Sequence, residues 1–400
     1  MARRLTSERG QSTVEWGGLL VLIALVIAAL ITSGVLASVA NGVGCNVTKI
    51  LGGSVSCADG QGHQAPDPSA PWNSSSPVTR ATWGTYVSLG DSYSAGEGLG
   101  DYEPGSHVDQ SQCRVSVLGH CVYHKDPKVI DGCDRSSSAY NSTVGGAYHF
   151  SGGKQTWACS GSITRDIYDG PGDPNCSQGH ASGSYGEGCQ VDRVNANTSL
   201  VTMTIGGNDA GFANDLKNCY MAERPGGAHE AGCTGQQSAI DGEINDMGPR
   251  LVAALEAIKA RAPHARIIIL TYPRPFPENP TQTGACLTLG VSVASYHLCL
   301  SPGDQRFLND EAAKLDTAVC SAAESAGVGA ECVNAYNAFA GCEMTDAHSC
   351  LQAPTAHISG STVIGINSGA YHPTAQGQQI LGALINHEIS NPPPGVGGGH

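Results

Sequence analysis

The longest uninterrupted run of apolar positions lies near the start of the chain. No residue between Trp16 and Val47 is charged, and positions 19–40 are almost all apolar. About 20 consecutive apolar residues span a bilayer as a helix. The pattern therefore predicts one transmembrane helix over residues 16–40. A cleavable secretory signal is the alternative, although its apolar stretch is shorter, about 7–15 residues.

Basic residues precede this apolar segment and do not directly follow it. Arg3, Arg4 and Arg9 lie on its amino-terminal side, whereas the next basic residue beyond it is Lys49. Positively charged flanks are retained on the cytoplasmic side of the membrane. Residues 1–15 are therefore predicted to form a cytoplasmic leader, and the rest of the chain is predicted to lie outside the cell.

In the larger part of the chain, short apolar segments alternate with stretches of helical period. Strands are predicted at residues 85–89, 200–205 and 266–270. Helices are predicted at residues 251–261, at residues 304–326 with Asp304 as N-cap, and after His372 with Pro373 in the first turn. This alternation predicts an α/β fold, a three-layer α/β/α sandwich with a mostly parallel sheet.

Composition divides the chain into segments. Gly, Pro, Ser and Gln dominate residues 58–80, which is typical of a linker, so residues 41–82 are assigned to an extracytoplasmic stalk and linker. Residues 83–390 are assigned to one domain, a length that α/β folds reach. Residues 391–400 read NPPPGVGGGH and are predicted to form a flexible tail.

The charge balance argues against nucleic acid as a partner. The 400 residues include 21 Lys and Arg against 35 Asp and Glu, a net charge of −14. A nucleic-acid-binding surface needs clustered basic residues, and the chain has no basic block longer than Arg3 and Arg4. Anionic lipid headgroups are disfavoured for the same reason.

The chain contains 16 cysteines and no C-x-x-C pair. Zinc ribbons and thioredoxin-type redox sites therefore lose their usual support, and structural disulfides in an exported protein are favoured. Connectivity does not follow from sequence alone. We take the pairing of neighbouring cysteines as a hypothesis, which joins Cys113 to Cys121, Cys133 to Cys159, Cys176 to Cys189, Cys219 to Cys233, Cys286 to Cys299, Cys320 to Cys332, and Cys342 to Cys350.

Polar residues suited to acyl transfer follow the predicted strands, where ligands bind in α/β folds. Ser92 lies in a turn after the first strand and could expose its hydroxyl as a nucleophile. A serine needs an imidazole base, and His372 is the candidate. Asn208 and the backbone N–H of Gly161 could stabilise an oxyanion.

Other chemistries lack support. The sequence contains no G-x-S-x-G, H-E-x-x-H, Walker or EF-hand pattern, so no metal and no cofactor is predicted. Asp91 and Asp209 have side chains suited to catalysis, but we interpret them as turn-forming carboxylates that bond nearby backbone N–H groups.

Four segments in this order resemble the SGNH hydrolases, also called the GDSL family of lipases and acylhydrolases. The segments are GDSYSAGEG at 90–98, CSGS at 159–162, IGGND at 205–209 and YHPTAQGQ at 371–378. The first segment, the Cys133 and Cys159 pair and the segment TYPRPFP at 271–277 look most like secreted actinobacterial esterases and lipases. The resemblance implies an SGNH-hydrolase-like fold over nearly the whole domain.

The resemblance also implies catalytic roles. Ser92 would be the nucleophile and His372 the general base and acid, while Ser92 N–H, Gly161 N–H and the Asn208 side chain would form the oxyanion hole. Many family members have an Asp three residues before the histidine, where this chain has Gly369. The other imidazole N–H still needs an acceptor, and the main-chain carbonyl of Gly369 or Ser368 is the candidate.

A second resemblance concerns the leader. Residues 10–15 read GQSTVE directly before the apolar segment, and Glu15 is the fifth residue counted from Gln11. This resembles the processing site of type IV pilin-like proteins, in particular the Flp-type pilins and TadE-like pseudopilins. A plain anchor helix explains the same residues. The resemblance would make the pilin-assembly machinery a partner.

These observations lead to two hypotheses. The first is a membrane-attached, extracellular serine esterase or lipase that forms an acyl intermediate on Ser92. Its substrate is left open among a lipid, a phospholipid, and an acetylated or aromatic ester of cell-wall material. The second is a pilin-like surface or adhesion component that uses a hydrolase fold for display.

Overall fold

The computed structural model describes most of the chain after residue 68. The described residues are 69–107, 113–117, 120–124, 132–170, 188–222, 233–281, 284–291, 294–344, 349–354, 356–359, 362–366 and 369–393. The predicted leader and the predicted helix over 16–40 lie outside these ranges, as does most of the predicted tail. Within them, no helix combines the length and the hydropathy needed to cross a bilayer.

The strands alternate with helices along the chain. The strands are β1 (Thr85–Gly90), β2 (Cys113–Val117), β3 (His120–His124), β4 (Lys154–Thr156), β5 (Thr198–Thr204), β6 (Arg266–Leu270), β7 (Gly284–Val291), β8 (Ala294–Leu300), β9 (Glu331–Val333), β10 (Ala356–Ser359) and β11 (Thr362–Ile366). The helices are α1 (Pro77–Thr82), α2 (Ser92–Ala95), α3 (Tyr140–Ala147), α4 (Thr164–Ile167), α5 (Phe212–Ala222), α6 (Gln237–Arg261), α7 (Pro302–Ser325) and α8 (Ala375–Ser390). Short 3₁₀ turns cover Pro71–Asn73, Gln190–Arg193 and Thr234–Gln236.

The central sheet has the strand order β4-β1-β5-β6-β9, and every neighbouring pair in it is parallel. The predicted α/β fold with a mostly parallel sheet is thereby confirmed. β2 with β3, β7 with β8, and β10 with β11 form separate antiparallel hairpins. Counted along the chain, the sheet has the doubly wound order 2-1-3-4-5, in which ligands bind where the strand order reverses. That point lies between the carboxyl ends of β1 and β5.

Burial explains the composition of the central strands. All residues of β5 and of β6 are buried, which requires cover on both faces of the sheet and accounts for the apolar residues 267–270 of β6, whereas β5 buries several Thr and Ser hydroxyls that are hydrogen-bonded. The helices pack in two groups. In one group α6 contacts α4 and α7, and in the other α8 contacts α1 and α3.

Two predicted helix starts are wrong by a few residues. Asp304 is not the N-cap of α7, because Ser301 caps the helix and Asp304 bonds back to Ser301 as the third helical residue, which completes a capping box. The last helix begins at Ala375 rather than at Pro373. Thr374 caps it by accepting the backbone N–H of Gly377.

The linker prediction was too long at its carboxyl end. Residues 71–82 form a 3₁₀ turn and α1, and these pack on the domain. The ring of Trp72 stacks on His264 at 4.2 Å between centroids. The Arg266 guanidinium donates to the carbonyl of Pro77 at 3.1 Å, and Ser199 Oγ donates to that of Ala81 at 2.7 Å. A Pro- and Ser-rich segment is ordered here because its carbonyls bond to the sheet.

Disulfides join neighbouring cysteines. The described bonds are Cys133–Cys159, Cys219–Cys233, Cys286–Cys299, Cys320–Cys332 and Cys342–Cys350, and each is a pair in the hypothesis above. Cys189 is also disulfide-bonded, but Cys176 lies outside the described residues. For Cys113 and Cys121 only the backbone is described. Disulfides that close short loops are typical of exported domains.

Candidate active site

Ser92 is positioned by a tight turn at the end of β1. Gly90 has φ +116°, and a Cβ there would meet the carbonyl oxygen of Thr204 at 2.3 Å, so only glycine lets β1 reach β5 this closely. Asp91 follows as N-cap of α2 and accepts the backbone N–H of Tyr93 at 3.0 Å. Ser92 therefore stands at the first helical position, where its N–H points away from the helix.

The structure brings Ser92 and His372 together across 280 residues. His372 Nε2 lies 2.7 Å from Ser92 Oγ, and His372 Nδ1 lies 3.1 Å from the carbonyl oxygen of Ala370. A carbonyl only accepts, so Nδ1 carries the ring hydrogen. Nε2 is then free to accept the hydrogen of the Ser92 hydroxyl, as a general base must.

The carbonyl at the imidazole Nδ1 is that of Ala370 and not that of Gly369, one of the two predicted acceptors. The carbonyl of Gly369 accepts the backbone N–H of His372 at 3.1 Å rather than the ring N–H, and Ser368 lies outside the described residues. The intervening residue Tyr371 has φ +63°, a left-handed conformation that turns the chain back. This turn directs the carbonyl of Ala370 at the ring.

Three tyrosines hold that turn. The hydroxyl of Tyr93 donates to the carbonyl of Tyr371 at 2.6 Å, and the hydroxyl of Tyr220 on α5 bonds to that of Tyr371. Burial raises the pKa of Tyr93, Tyr220 and Tyr371, so all three stay neutral donors at physiological pH. The strained backbone before His372 is thus supported from two elements.

The loops of Asn208 and Gly161 meet, and Asn208 lines the same cavity as Ser92. Asn208 Nδ2 donates to the carbonyl of Ser162 at 2.9 Å, which leaves its second N–H for a ligand. Asp209 accepts the backbone N–H of Thr164 at 2.8 Å and its hydroxyl at 2.6 Å. Gly161 has φ +80°. The segments CSGS and IGGND are therefore bonded to each other.

Asp91 joins the nucleophile turn to the Asn208 loop. It is 1% exposed and accepts the hydroxyls of Thr204, at 2.6 Å, and of Tyr272. The same Tyr272 oxygen accepts the backbone N–H of Gly207 at 3.0 Å. Burial raises the pKa of Asp91 to about 6, although its hydrogen bonds and the neighbouring His372 act in the opposite direction. Its contacts agree with the interpretation as a turn-forming carboxylate.

One acidic side chain beside the site was missed in the sequence. Glu97 Oε2 lies 3.6 Å from His372 Nε2 and accepts the hydroxyl of Ser160, and Glu97 is 5% exposed. The segment GDSYSAGEG contains this residue, but a single Glu in a glycine-rich turn gave no reason to single it out. The acceptor role of Ala370 also had no signal in the sequence.

A cavity of about 290 Å³ opens at Ser92 and His372. Away from Ser92 and His372, which we call the dyad, its wall is mostly apolar and comes from α5, α7 and the segment after β6. The apolar side chains are those of Phe212, Leu216, Pro273, Pro275, Ala312 and Leu315. This shape and chemistry suit an apolar ligand whose polar end lies at the dyad. Among the described residues, no cluster of His, Cys, Asp and Glu could hold a metal ion.

The chain is similar to a family of lipases and acylhydrolases and to individual lipases. The model of the GDSL-like Lipase/Acylhydrolase family matches residues 88–380. A lipase of Streptomyces rimosus is 28% identical over 310 residues, which cover 76% of this chain and 85% of that protein. Lipase 2 of Streptomyces coelicolor (strain ATCC BAA-471 / A3(2) / M145) is 29% identical over 299 residues, with 74% and 82% covered.

Two crystal structures are similar along their whole length. The extracellular lipase from Streptomyces rimosus aligns with a TM-score of 0.50 at 25% identity, covering 77% of this chain and 100% of that one. Phospholipase A1 from Streptomyces albidoflavus NA297 aligns with a TM-score of 0.50 at 27% identity, covering 78% and 100%.

Proposed function

We propose, from the premise that the chain belongs to the GDSL-like lipase/acylhydrolase family and is a carboxylic ester hydrolase, that hydrolysis runs through an acyl intermediate on Ser92. The observation that carries the proposal is the 2.7 Å contact between Ser92 Oγ and a His372 Nε2 that is free to accept a proton. A serine hydroxyl is a weak nucleophile until such a base takes its proton.

Acylation begins when Ser92 Oγ attacks the ester carbonyl carbon and its proton passes to His372 Nε2. The tetrahedral oxyanion is stabilised by the N–H groups of Ser92 and Gly161 and by the free N–H of the Asn208 amide. The intermediate collapses, the proton moves from Nε2 to the leaving alkoxide, and the alcohol departs. The ester bond is broken and the acyl group remains on Ser92.

Deacylation repeats the same steps with water. His372 Nε2 takes a proton from water as it attacks the acyl carbon, and the same donors stabilise the second oxyanion. Collapse returns the proton to Ser92 Oγ and releases the carboxylic acid. Throughout, the carbonyl of Ala370 accepts the Nδ1 hydrogen, with 3.1 Å between Nδ1 and the oxygen, so the ring keeps one orientation.

The cavity favours a fatty acyl ester over an acetyl ester. Its volume is about 290 Å³, and its wall away from Ser92 and His372 is mostly apolar. An acetyl group would leave most of this wall uncovered. We therefore expect a longer acyl chain, of about eight to ten carbons, as part of a lipid or phospholipid ester.

Covalent labelling tests the reaction. A fluorophosphonate should label the wild type at one site, and peptide mapping should place the label on Ser92. In Ser92→Ala we expect no label and a kcat for p-nitrophenyl esters lower by at least about 10⁴-fold. Ser142→Ala removes a hydroxyl outside the site and serves as control, with labelling unchanged. A folded wild-type protein that hydrolyses no ester and takes no label would refute the proposal.

An ester panel tests the substrate. We expect kcat/KM for p-nitrophenyl esters to rise from acetate to about the octanoate or decanoate and to fall for longer chains, because additional carbons exceed the cavity. A maximum at acetate would contradict the assignment of the apolar cavity to the acyl chain.

The disulfides and the predicted apolar segment over 16–40 support a location outside the cytoplasm, with the domain attached to the membrane. The mature N-terminus, read by mass spectrometry, distinguishes an anchored chain from one that is cut and secreted. The alternative of a pilin-like display component depends on residues 10–15, which lie outside the described residues, and no observation on the domain favours it.

A further inference from the structure

Glu97 is held against the dyad by its backbone and by its side chain. Its backbone N–H donates to the carbonyl of Ser92 at 3.1 Å, and it stands between Gly96 and Gly98, which have φ +89° and +86°. This left-handed turn folds the chain back under the nucleophile. The hydroxyl of Ser160 then binds Glu97 Oε2 and fixes the direction of the carboxylate.

The dyad creates a charge that its hydrogen bonds do not compensate. During both halves of the reaction His372 becomes an imidazolium. The Ala370 carbonyl at Nδ1 is a dipole without net charge, and Gly369 stands where many family members have an Asp. Among the described residues, the ion-pair partner of the His372 ring is Glu97, with Oε2 at 3.6 Å from Nε2.

We propose that Glu97 supplies the negative charge that stabilises protonated His372 during catalysis, from the Nε2 side of the ring, in place of a carboxylate at Nδ1. The inference rests on the proposed function of Ser92 and His372. It makes Glu97 a positioning residue that acts through the base.

The geometry separates this role from proton transfer. At 3.6 Å the Glu97 oxygen is too far from Nε2 for a hydrogen bond, whereas Ser92 Oγ is at 2.7 Å. The proton on Nε2 therefore remains directed at the serine or the leaving group. Glu97 acts by its charge, which is effective because the residue is only 5% exposed and water screens a buried charge poorly.

The other charged and titratable groups around the dyad occupy different positions. Asp91 also interacts electrostatically with His372, but its oxygens bond to Thr204, Tyr272 and Tyr93, and Glu97 is the carboxylate paired with the ring. Lys217 on α5 lines the cavity. The hydroxyl of Tyr102 lies near Glu97 and accepts the backbone N–H of Gly98 at 2.8 Å.

The sign of the effect follows from the same charge. A nearby carboxylate also favours imidazolium in the free enzyme, so it moves the acid limb of the activity profile to higher pH. Removing it should shift that limb to lower pH and slow the reaction at the plateau, because the transition state loses charge stabilisation. Glu97 is not among the residues that line the cavity, so KM should change little.

The test is Glu97→Gln, which keeps the shape and an acceptor for Ser160 but removes the charge. We expect kcat on the pH plateau to fall about 10-fold with KM unchanged, and the midpoint of the acid limb of kcat/KM to move about one pH unit lower. The rate of fluorophosphonate labelling should show the same shift. Glu103→Gln removes an exposed carboxylate from the same loop and should leave both unchanged. Glu97→Gln with a wild-type midpoint would overturn the inference.

A second variant keeps the test decisive if Glu97→Gln does not fold. Ser160→Ala removes the hydroxyl bonded to Glu97 and leaves the charge, so its acid limb should stay within about 0.5 pH unit of wild type. A shift of a full unit in Ser160→Ala would show that the hydrogen bond, not the charge, controls the base. If the wild type takes no fluorophosphonate label, the proposed function itself fails. If the wild type is labelled and the pH profiles of wild type and Glu97→Gln coincide, only the role of Glu97 fails.

Discussion

The Tyr272 hydroxyl offers the sharpest test of how the site is assembled. It donates to Asp91 and accepts the backbone N–H of Gly207 at 3.0 Å, so one oxygen joins the nucleophile turn to the Asn208 loop. The Tyr272 ring also packs on Gly207, where a Cβ would lie 3.2 Å from it. Tyr272→Phe keeps the ring and removes only this oxygen.

The expected loss follows from the two groups left without a partner. A hydrogen bond to a charged group contributes about 1.5–3 kcal/mol, and an unpaired buried N–H costs about 1–3 kcal/mol. Tyr272 and Gly207 both line the cavity, and water entering it would compensate in part. We therefore expect a loss of about 3 kcal/mol in the free energy of unfolding, or a Tm lower by roughly 5–10 °C.

This loss should depend on pH in a defined direction. The hydrogen bond from Tyr272 lowers the pKa of Asp91, while burial raises it to about 6 overall. The bond therefore matters most when Asp91 is ionised. Tyr272→Phe should be more destabilised at pH 8 than at pH 5, by about 1 kcal/mol, because at pH 5 the carboxyl is mostly protonated in both proteins.

Catalysis should suffer through Asn208, which directly follows Gly207. A displacement of about 1 Å can lower turnover about 10²-fold, so we expect kcat to fall about 10- to 100-fold while KM changes little. Urea unfolding at the two pH values and p-nitrophenyl ester kinetics measure these effects.

The matched control is Tyr336→Phe, which removes a hydroxyl that donates to the Asn309 carbonyl at 3.3 Å, with an expected loss below about 1 kcal/mol. Equal losses in the two variants, or a wild-type kcat in Tyr272→Phe, would refute the reasoning.

Three further predictions concern the oxyanion, a buried carboxyl and the cavity. Asn208→Ala should lower kcat by about 10²–10³-fold, and an effect on KM alone would contradict its role. Burial raises the pKa of Asp316 to about 7, so the folded state binds this proton more tightly than the unfolded one and stability falls as pH rises from about 4 to 7. Asp316→Asn should reduce the pH 5 to pH 8 difference in unfolding free energy by about 2–3 kcal/mol, and an unchanged difference in urea unfolding would count against it. Leu315→Trp narrows the cavity and should lower the octanoate-to-butyrate ratio of kcat/KM about tenfold; a constant ratio would place the acyl chain elsewhere.

Local patterns predicted the parts of the fold that depend on neighbouring residues. The apolar residues 267–270 lie in β6 (Arg266–Leu270), as predicted, because a strand buried on both faces favours apolar side chains. Neighbouring cysteines could be paired for a similar reason, since short loops close easily. Ser92 and His372 were chosen on sequence segments alone, and the segments contain the backbone turns that place them.

Contacts between distant segments could not be predicted in this way. Ala370 accepts the ring N–H because Tyr371 adopts φ +63°, and that conformation depends on hydroxyls supplied by Tyr93 and Tyr220 from elsewhere in the chain. Glu97 and His372 are far apart in the sequence and meet only when the chain between them has folded. The packing of residues 71–82 on the domain likewise depends on Arg266, whose guanidinium donates to the carbonyl of Pro77.

Tyrosine hydroxyls connect the base, the nucleophile turn and the cavity wall. Tyr220 on α5 bonds to Tyr371 directly before His372, and the same helix contributes Phe212 and Leu216 to the cavity. The disulfide from Cys219 to Cys233 closes a loop that starts one residue before Tyr220. Displacement of α5 would therefore strain the left-handed turn that directs Ala370 at the ring. We therefore expect substitutions that loosen α5 to affect kcat and KM together, because this one helix contacts both the cavity and the turn before His372.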